Sequence, residues 1–116
     1  MIHWYQHLYT DETVNSQVSR AKKNVERCLG SLKRSIQIWK KSYYIIILAA
    51  NPDNLFEIIE TRQLFFKHYK KTELYVVALT KDKESAIEQL QVIIRDMWRD
   101  NPQMRVRDYF VEEDFD

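Results

Sequence analysis

The sequence predicts an α/β fold in which a long N-terminal helix precedes a βαβαβ unit. Two apolar runs, 43–50 and 74–79, have the length and composition of strands buried on both faces. Amphipathic stretches with helical spacing flank them. Because such strands need helices on both sides and parallel crossovers are right-handed, we expect a three-stranded parallel sheet with helices on both faces. The predicted strand order is 2-1-3, with 43–50 in the middle, and order 1-2-3 is the alternative.

The length of 116 residues predicts a single domain, 1–116, with an aromatic N-terminal segment at 1–13 and an acidic tail at 111–116. Its residues are 45% hydrophobic and 30% charged, which excludes a disordered chain. The longest apolar run, 43–50, is far shorter than the ~20 residues of a membrane helix, and the N-terminus has no signal-peptide pattern. We therefore expect a cytoplasmic protein with no membrane partner. The single cysteine, Cys28, excludes an intrachain disulfide and a cysteine-based zinc site.

Charge is unevenly distributed along the chain. Residues 1–50 contain 8 Lys/Arg against 3 Asp/Glu, a net charge of +5, whereas residues 51–116 contain 10 against 14, a net charge of −4. Such asymmetry marks a nucleic-acid or acidic-partner surface in some proteins. We favour the simpler interpretation that the two halves attract each other, within one fold or between copies.

The N-terminal segment is rich in aromatic residues and is predicted to fold back over the domain, because large rings seldom stay in solvent. A helix is expected to begin directly after it, with candidate N-caps Thr10, Asp11 and Thr13. His3 and His7 would share one face of a helix, but no third ligand accompanies them. We therefore expect these histidines to pack or to contact solvent, and we expect no metal site.

The first helix is predicted from apolar positions that fall in one arc about 100° wide. These positions are Val14, Val18, Ala21, Val25, Cys28, Leu29, Leu32 and Ile36. Because Cys28 lies inside the arc, we interpret it as a small buried hydrophobe rather than a nucleophile. The opposite face has a basic stripe, formed by Arg20, Lys23, Arg27 and Arg34. Such a stripe can bind nucleic acid, although a solvated face is the commoner explanation.

The first strand and the next helix are bounded by polar residues. Asn51-Pro52 is expected to end the strand, because proline cannot donate a backbone hydrogen bond. Asn54 and Glu57 match a capping box that would start a helix over 55–69. The second strand, 74–79, follows that helix.

The third helix is predicted to begin at Asp82, a candidate N-cap, and to have a broad apolar face. That face comprises Ala86, Ile87, Leu90, Ile93, Ile94, Met97 and Trp98. The last strand, 104–110, is expected at a sheet edge, because Arg105 and Arg107 alternate with apolar residues. The acidic tail, which reads Glu-Glu-Asp-Phe-Asp over 112–116, is predicted to be frayed.

A ligand site is expected where the predicted parallel strands end, because open α/β sheets bind ligands outside the carboxyl ends of their strands. The candidate binding residues there are Asn51, Asp53, Asn54, Thr80, Lys81 and Asp82. Two helix N-termini would meet at this point and favour an anion. The single glycine, Gly30, lies outside both loops, which argues against a nucleotide, and we expect no cofactor.

No catalytic constellation is evident in the sequence, so we expect a protein that is not an enzyme. Cys28 is predicted to face the core, and His3, His7 and His68 have no recognisable partners. The small predicted sheet has an exposed edge and more apolar residues than it can cover, which favours a homodimer or another protein as partner. The apolar excess comprises Trp4, Tyr5, Phe56, Leu64 and Val92.

Three motifs stand out: Trp4-Tyr5-x-His7-Leu8-Tyr9, Asn51-Pro52-Asp53-Asn54 and Val106-Arg107-x-Tyr109-Phe110. Together they resemble motifs of short, uncharacterised proteins of clostridial-type bacteria, a family of unknown function. The resemblance covers most of the chain. It implies a bacterial cytoplasmic protein of this architecture, and it implies no activity and no site residue.

Three functional hypotheses follow from these observations. The first is a non-enzymatic interaction or regulatory module, expected to be a homodimer, that works through the 51–54 end of the sheet and an apolar surface. The second is a nucleic-acid-binding protein that uses the basic stripe. The third is a binder of a small molecule or anion at the strand ends.

Overall fold

The structure, a computed structural model, describes residues 1–30, 42–49, 55–65, 72–100, 102 and 105–116. Its elements in chain order are strand β1 (Ile2–Thr10), helices α1 (Glu12–Asn15) and α2 (Val18–Gly30), strands β2 (Tyr44–Leu48) and β3 (Phe56–Glu60), a 3₁₀ helix (Thr61–Phe65), strand β4 (Leu74–Thr80), helices α3 (Lys83–Asp100) and α4 (Val106–Tyr109), and a second 3₁₀ helix (Glu112–Asp114).

The sheet is mixed and has four strands in the order β1-β4-β2-β3. β1 pairs with β4 in parallel, whereas β2 pairs antiparallel with both β4 and β3. The predicted three-stranded parallel sheet is therefore wrong, in the order 2-1-3 and in the order 1-2-3 alike. Apolar composition identified β2 and β4 as buried strands, but it carries no information about strand direction. β2 is an inner strand, as predicted, between neighbours that run opposite to it.

Both faces of the sheet are covered, which explains the unbroken apolar run in β2. Ile45 and Ile47 point into a core shared with α2, whereas Ile46 and Leu48 point into a second core shared with α3 and α4. We call these sides the α2 face and the α3 face. All four side chains are at most 5% exposed. Alternate burial on two covered faces leaves no position in the strand for a polar residue.

β1 is one of the strands that the sequence did not predict. Its residues pair in parallel with β4, from Ile2 opposite Leu74 to Thr10 opposite Leu79. Trp4 is buried on the α2 face and Tyr5 on the α3 face. The pairing register between β1 and β4 shifts between Trp4 and Tyr9. The alternation of apolar residues is therefore interrupted, and the sequence pattern resembles that of a loop. Because this segment is a strand, the expectation that His3 and His7 share one face of a helix is wrong.

The predicted long N-terminal helix is divided into α1 and α2 by a turn at 16–17. The Asp11 side chain is the N-cap of α1, as one of the three candidates predicted, and accepts a hydrogen bond of 2.8 Å from the Val14 N–H. The predicted apolar arc nevertheless faces the sheet: its buried members are Val14, Ala21, Val25 and Cys28, all on the α2 face. Positions 31–36 of the predicted helix lie outside the described residues.

The helix predicted over 55–69 is wrong in the part that the structure describes. β2 and β3 form an antiparallel hairpin that begins where Ala49 N–H donates to Leu55 O at 3.2 Å. The hairpin satisfies backbone groups along the whole of β2, and this pairing outweighs the helical spacing of the apolar residues. Glu57, expected in a capping box with Asn54, is a strand residue opposite Ile47, and Asn54 lies outside the described residues.

The strand predicted over 104–110 is wrong as well. Residues Val106–Tyr109 form the short helix α4, and Val106 and Phe110 are buried together on the α3 face at the i, i+4 spacing of one helix side. The acidic tail is attached rather than frayed, because Phe115 forms a β-bridge with Tyr5 and Asp116 N–H donates to Trp4 O at 2.9 Å.

Among the helices in the described ranges, none combines the length and the apolar composition needed to cross a membrane.

Candidate functional site

The antiparallel pairing of β2 and β4 places the carboxyl ends of these two strands at opposite edges of the sheet. Thr80, at the end of β4, lies opposite Tyr44 at the start of β2. The other end of β2, at Leu48, is about 13 Å away along the strand. The predicted residues Asn51, Asp53 and Asn54 follow that far end in the chain and lie outside the described residues. The parallel geometry that suggested one shared site is therefore wrong.

The other predicted residues take part in hydrogen bonds of the fold, Thr80 and Asp82 through their side chains and Lys81 through its backbone. Thr80 is fully buried, and its Oγ1 lies 3.1 Å from Asp82 O and 3.3 Å from Tyr44 O. The backbone N–H of Lys81 donates to Asp11 Oδ2 at 2.8 Å. Asp82 Oδ1 accepts from Ser85 N–H at 2.8 Å, as predicted for the N-cap of α3. Hydrogen bonds from the backbone and the side chain of Ser85 lower the pKa of the Asp82 carboxyl. A structural role explains the side chains of Thr80 and Asp82 and the backbone N–H of Lys81.

The basic stripe is present on α2. Arg20, Lys23 and Arg27 are all exposed, on the side opposite to the buried positions. Arg34 lies outside the described residues. Nucleic-acid binding by this stripe stays a prediction.

A cluster of aromatic rings on the α3 face offers a different candidate site, near the Leu48 end of the sheet. The rings of this aromatic cluster are Tyr5, Phe56, Tyr75, Tyr109, Phe110 and Phe115. The Tyr5 ring is central: its centroid lies 5.0 Å from that of Phe110 and 5.4 Å from that of Phe115. Phe115 meets Tyr75 edge to face at 5.3 Å. Such geometries are favourable beyond simple burial.

Three separate parts of the chain hold the cluster together. The strands supply Tyr5, Phe56 and Tyr75, and Phe110, which is 2% exposed, directly follows α4. The tail brings Phe115 to the sheet, where Phe115 forms the β-bridge with Tyr5 of β1. A hydrogen bond of 3.4 Å from Gln6 Nε2 to Glu113 O is a further contact between β1 and the tail. The cluster therefore forms only when the ends of the described chain meet.

Two tyrosine–aspartate hydrogen bonds hold α4 and β1 against α3. Tyr9 Oη donates to Asp96 Oδ2 at 2.7 Å, and Tyr109 Oη donates to Asp100 Oδ2 at 3.2 Å. Burial raises the pKa of both phenols, and the hydrogen bonds to the two carboxylates raise the pKa further. Because Tyr109 precedes Phe110, the second bond also fixes the ring that lines the candidate site.

The cluster encloses an open cavity of about 220 Å³, which we call the aromatic pocket. Its described lining consists of Leu48, Tyr75, Phe110, Glu112 and Phe115. Ligand pockets usually occupy about 300–1,000 Å³, so this one suits the end of a side chain rather than a nucleotide. Three rings and one carboxylate favour a cation, because aromatic faces attract positive charge within about 6 Å and the carboxylate adds direct attraction.

Further negative charge lies close to the pocket. Glu113, Asp114 and Asp116 neighbour Glu112 in the tail and leave the pocket rim strongly acidic. On the other side, the His3 ring stacks on Tyr75 with centroids 4.8 Å apart, and its Nε2 lies 2.5 Å from Glu73 Oε2. His3 is thus a packing residue, as predicted, and it supports one wall of the pocket.

The described residues include no group of three His, Cys, Asp or Glu side chains arranged to hold a metal ion. Cys28 is fully buried on the α2 face, as predicted, and burial raises the pKa of its thiol to about 11. A thiol in that state is a poor nucleophile at neutral pH.

Comparisons with protein-family models, curated proteins and solved structures each find no match to this chain. The resemblance to short clostridial-type proteins therefore stays a prediction.

Sequence reasoning missed the aromatic pocket entirely. Its residues come from β2, β4 and the tail, and no local spacing links them. One signal was present, because Phe115 interrupts an otherwise acidic run, and an aromatic residue in such a run suggests attachment rather than fraying.

Proposed function

We propose that this protein is a small, non-enzymatic interaction module of the bacterial cytoplasm that binds a lysine side chain of a partner protein in the aromatic pocket. The observation that carries the proposal is the lining of an open 220 Å³ cavity by three aromatic residues and Glu112. The rings would contact the aliphatic stem and the ammonium group, and Glu112 would pair with the charge.

Size and charge both favour a lysine over the alternatives considered. The cavity is smaller than ordinary small-molecule sites, and the acidic rim would repel a phosphate or a nucleic acid. An ammonium group is more compact than a guanidinium and enters a narrow aromatic site more readily. A protein partner is consistent with the first functional hypothesis from the sequence.

The direct test compares two peptides in a titration followed by backbone amide NMR. One short peptide has a central lysine, and the other has norleucine, which keeps the aliphatic stem and lacks the ammonium group. We expect the lysine peptide to shift the amide signals of Phe110, Glu112 and Phe115, with a Kd near the millimolar range for a single side chain. Tetramethylammonium in a third titration tests whether a free cation suffices.

Variants of the acidic rim sharpen the test. Glu112→Gln removes the carboxylate of the pocket and should weaken lysine binding several-fold, whereas Glu113→Gln, outside the described lining, is the matched control. Equal shifts from the lysine and norleucine peptides would contradict the proposal, as would the absence of any shift at about 10 mM peptide.

Nucleic-acid binding is the second candidate, because Arg20, Lys23 and Arg27 are exposed on one side of α2. It predicts binding that weakens steeply with salt and is lost in a triple variant with glutamine at these positions. No binding of duplex or single-stranded nucleic acid at low salt would remove this candidate.

A further inference from the structure

The outer side of α3 exposes large apolar residues of the predicted apolar face. Ala86, Ile93 and Met97 are fully buried against the sheet, as predicted. Ile87 and Trp98, expected on the same face, are 42% and 57% exposed. The predicted apolar face of α3 is therefore only partly buried.

Helical spacing arranges this outer side in two parallel stripes. At about 100° per residue, Ile87, Ile94 and Trp98 fall within one narrow arc, and Ile94 is only half-buried. Next to this arc lie exposed charges: Glu84 and Glu88 in the first half of α3, and Arg95 and Arg99 in the second half. We call the apolar arc and the four charges together the α3 outer surface.

We propose that the α3 outer surface pairs with the same surface of a second copy of this chain, in an antiparallel arrangement about a two-fold axis near Gln91. A two-fold axis perpendicular to both helices brings the apolar arc of one copy against the apolar arc of the other. It also brings the two glutamates of each α3 outer surface beside the two arginines of its neighbour. Glu88 then lies near Arg95 of the second copy, and Glu84 near Arg99 of the second copy.

The distribution of charge selects this arrangement and this occupant. A parallel pair of helices would place glutamates beside glutamates and arginines beside arginines, which is unfavourable. The acidic start and basic end also suit the dipole of α3, but the dipole offers no reason for an exposed tryptophan. Arg99 has weak surface contacts with Asp96 and Asp100 in its own chain, at 3.4 Å and 3.3 Å, which leave it available.

The expected dimer is weak and concentration-dependent. A helix of 18 residues is about 27 Å long, and one helix pair buries less than the ~800 Å² per partner of a standard interface. Trp98 is the expected energetic centre, because tryptophan dominates many interfaces. The α3 outer surface shares no residue with the described lining of the aromatic pocket.

Sedimentation equilibrium of the full chain over a wide concentration range tests the proposal. We expect a monomer–dimer equilibrium that Trp98→Ala weakens at least tenfold, with the helical circular dichroism signal and the lysine-peptide titration unchanged. Glu88→Arg and Arg95→Glu should each weaken the dimer, and the double variant should restore it, because the double exchange recreates opposite charges across the two-fold axis.

Two results would overturn the proposal. One is a monomer at the highest soluble concentration. The other is a dimer that is insensitive to Trp98→Ala and to both single charge reversals, which would assign self-association to another surface such as a sheet edge. Should any variant fail to fold, spin labels on Gln91 of the otherwise unchanged chain decide the question. The antiparallel dimer requires a short distance between the two labels at position 91. A long distance, or no measurable distance between labels, contradicts the proposal.

Discussion

Asp11 Oδ2 accepts a hydrogen bond of 2.8 Å from the backbone N–H of Lys81. The other oxygen of the same carboxylate, Oδ1, accepts from the Val14 N–H at 2.8 Å. One side chain thereby caps α1 and joins it to the end of β4, where β1 and β4 leave the sheet side by side. Lys81, a predicted ligand residue, thus has a backbone partner that belongs to the fold.

Replacing Asp11 with alanine should lower the free energy of unfolding by about 2 kcal/mol, because the variant loses an N-cap and a second hydrogen bond. Urea denaturation at neutral pH measures this change. The matched control is Glu12→Ala at the exposed neighbouring position, which should change stability by less than about 0.5 kcal/mol. Equal effects of the two substitutions would contradict the bridging role of Asp11.

The Cys28 thiol should react slowly with alkylating reagents in the folded protein. Its pKa is raised from 9.0 to about 11, so the thiolate fraction at pH 8 falls about 100-fold, and burial restricts access further. Iodoacetamide labelling with and without urea measures the difference by mass spectrometry. Labelling of the native protein at the rate of the unfolded chain would show that α2 does not hold Cys28 against the sheet.

Stability should fall at alkaline pH, and Tyr9 should account for part of the loss. Burial and the hydrogen bond to Asp96 raise the pKa of Tyr9 above its ordinary value of 10.0. In the unfolded chain the phenol releases its proton near pH 10, whereas in the folded protein it stays protonated, so the free energy of unfolding decreases as the pH rises above that value. Tyr9 contributes this stability fully only below pH 10.

Urea denaturation at pH 8, pH 9.5 and pH 11 tests this sign. Tyr9→Phe should be less stable than the natural chain at pH 8, because the hydrogen bond to Asp96 is lost. The difference should shrink towards pH 11. Two parallel stability curves would show that Tyr9 titrates in the folded protein as it does in the unfolded one.

Phe115→Ala should detach the tail and remove one wall of the aromatic pocket. Ring pairs of this kind contribute about 0.5–1.5 kcal/mol each, and Phe115 pairs with both Tyr5 and Tyr75, so we expect a loss of about 1–3 kcal/mol. Phe115→Leu, which keeps most of the apolar volume, should retain more of the stability but not the binding of the lysine peptide. Unchanged NMR signals for Asp116 and Trp4 in the alanine variant would contradict attachment through this ring.

Local patterns predicted two buried strands and several helix caps, but the predicted fold was wrong because the sheet depends on long-range pairing. Burial of Cys28 and the N-caps Asp11 and Asp82 were predictable, because they depend on neighbours within a few residues. The direction of β2 was not, since Ile45 and Ile46 pack equally well in a parallel or an antiparallel strand. Of the candidate site, the sequence indicated only that an apolar surface would matter.

The parallel pairing of β1 with β4 determines the order in which the sheet assembles. The β2–β3 hairpin joins neighbouring segments and forms within microseconds in comparable chains, before more distant contacts are established. β1 and β4 lie far apart in the chain. Their pairing therefore costs more loop-closure entropy than the β2–β3 hairpin, and we expect it to form later. The tail then adds to β1 through Phe115. The aromatic pocket is therefore expected to be the last feature to form, so ligand binding there, if the proposed function holds, would report on complete folding of the chain.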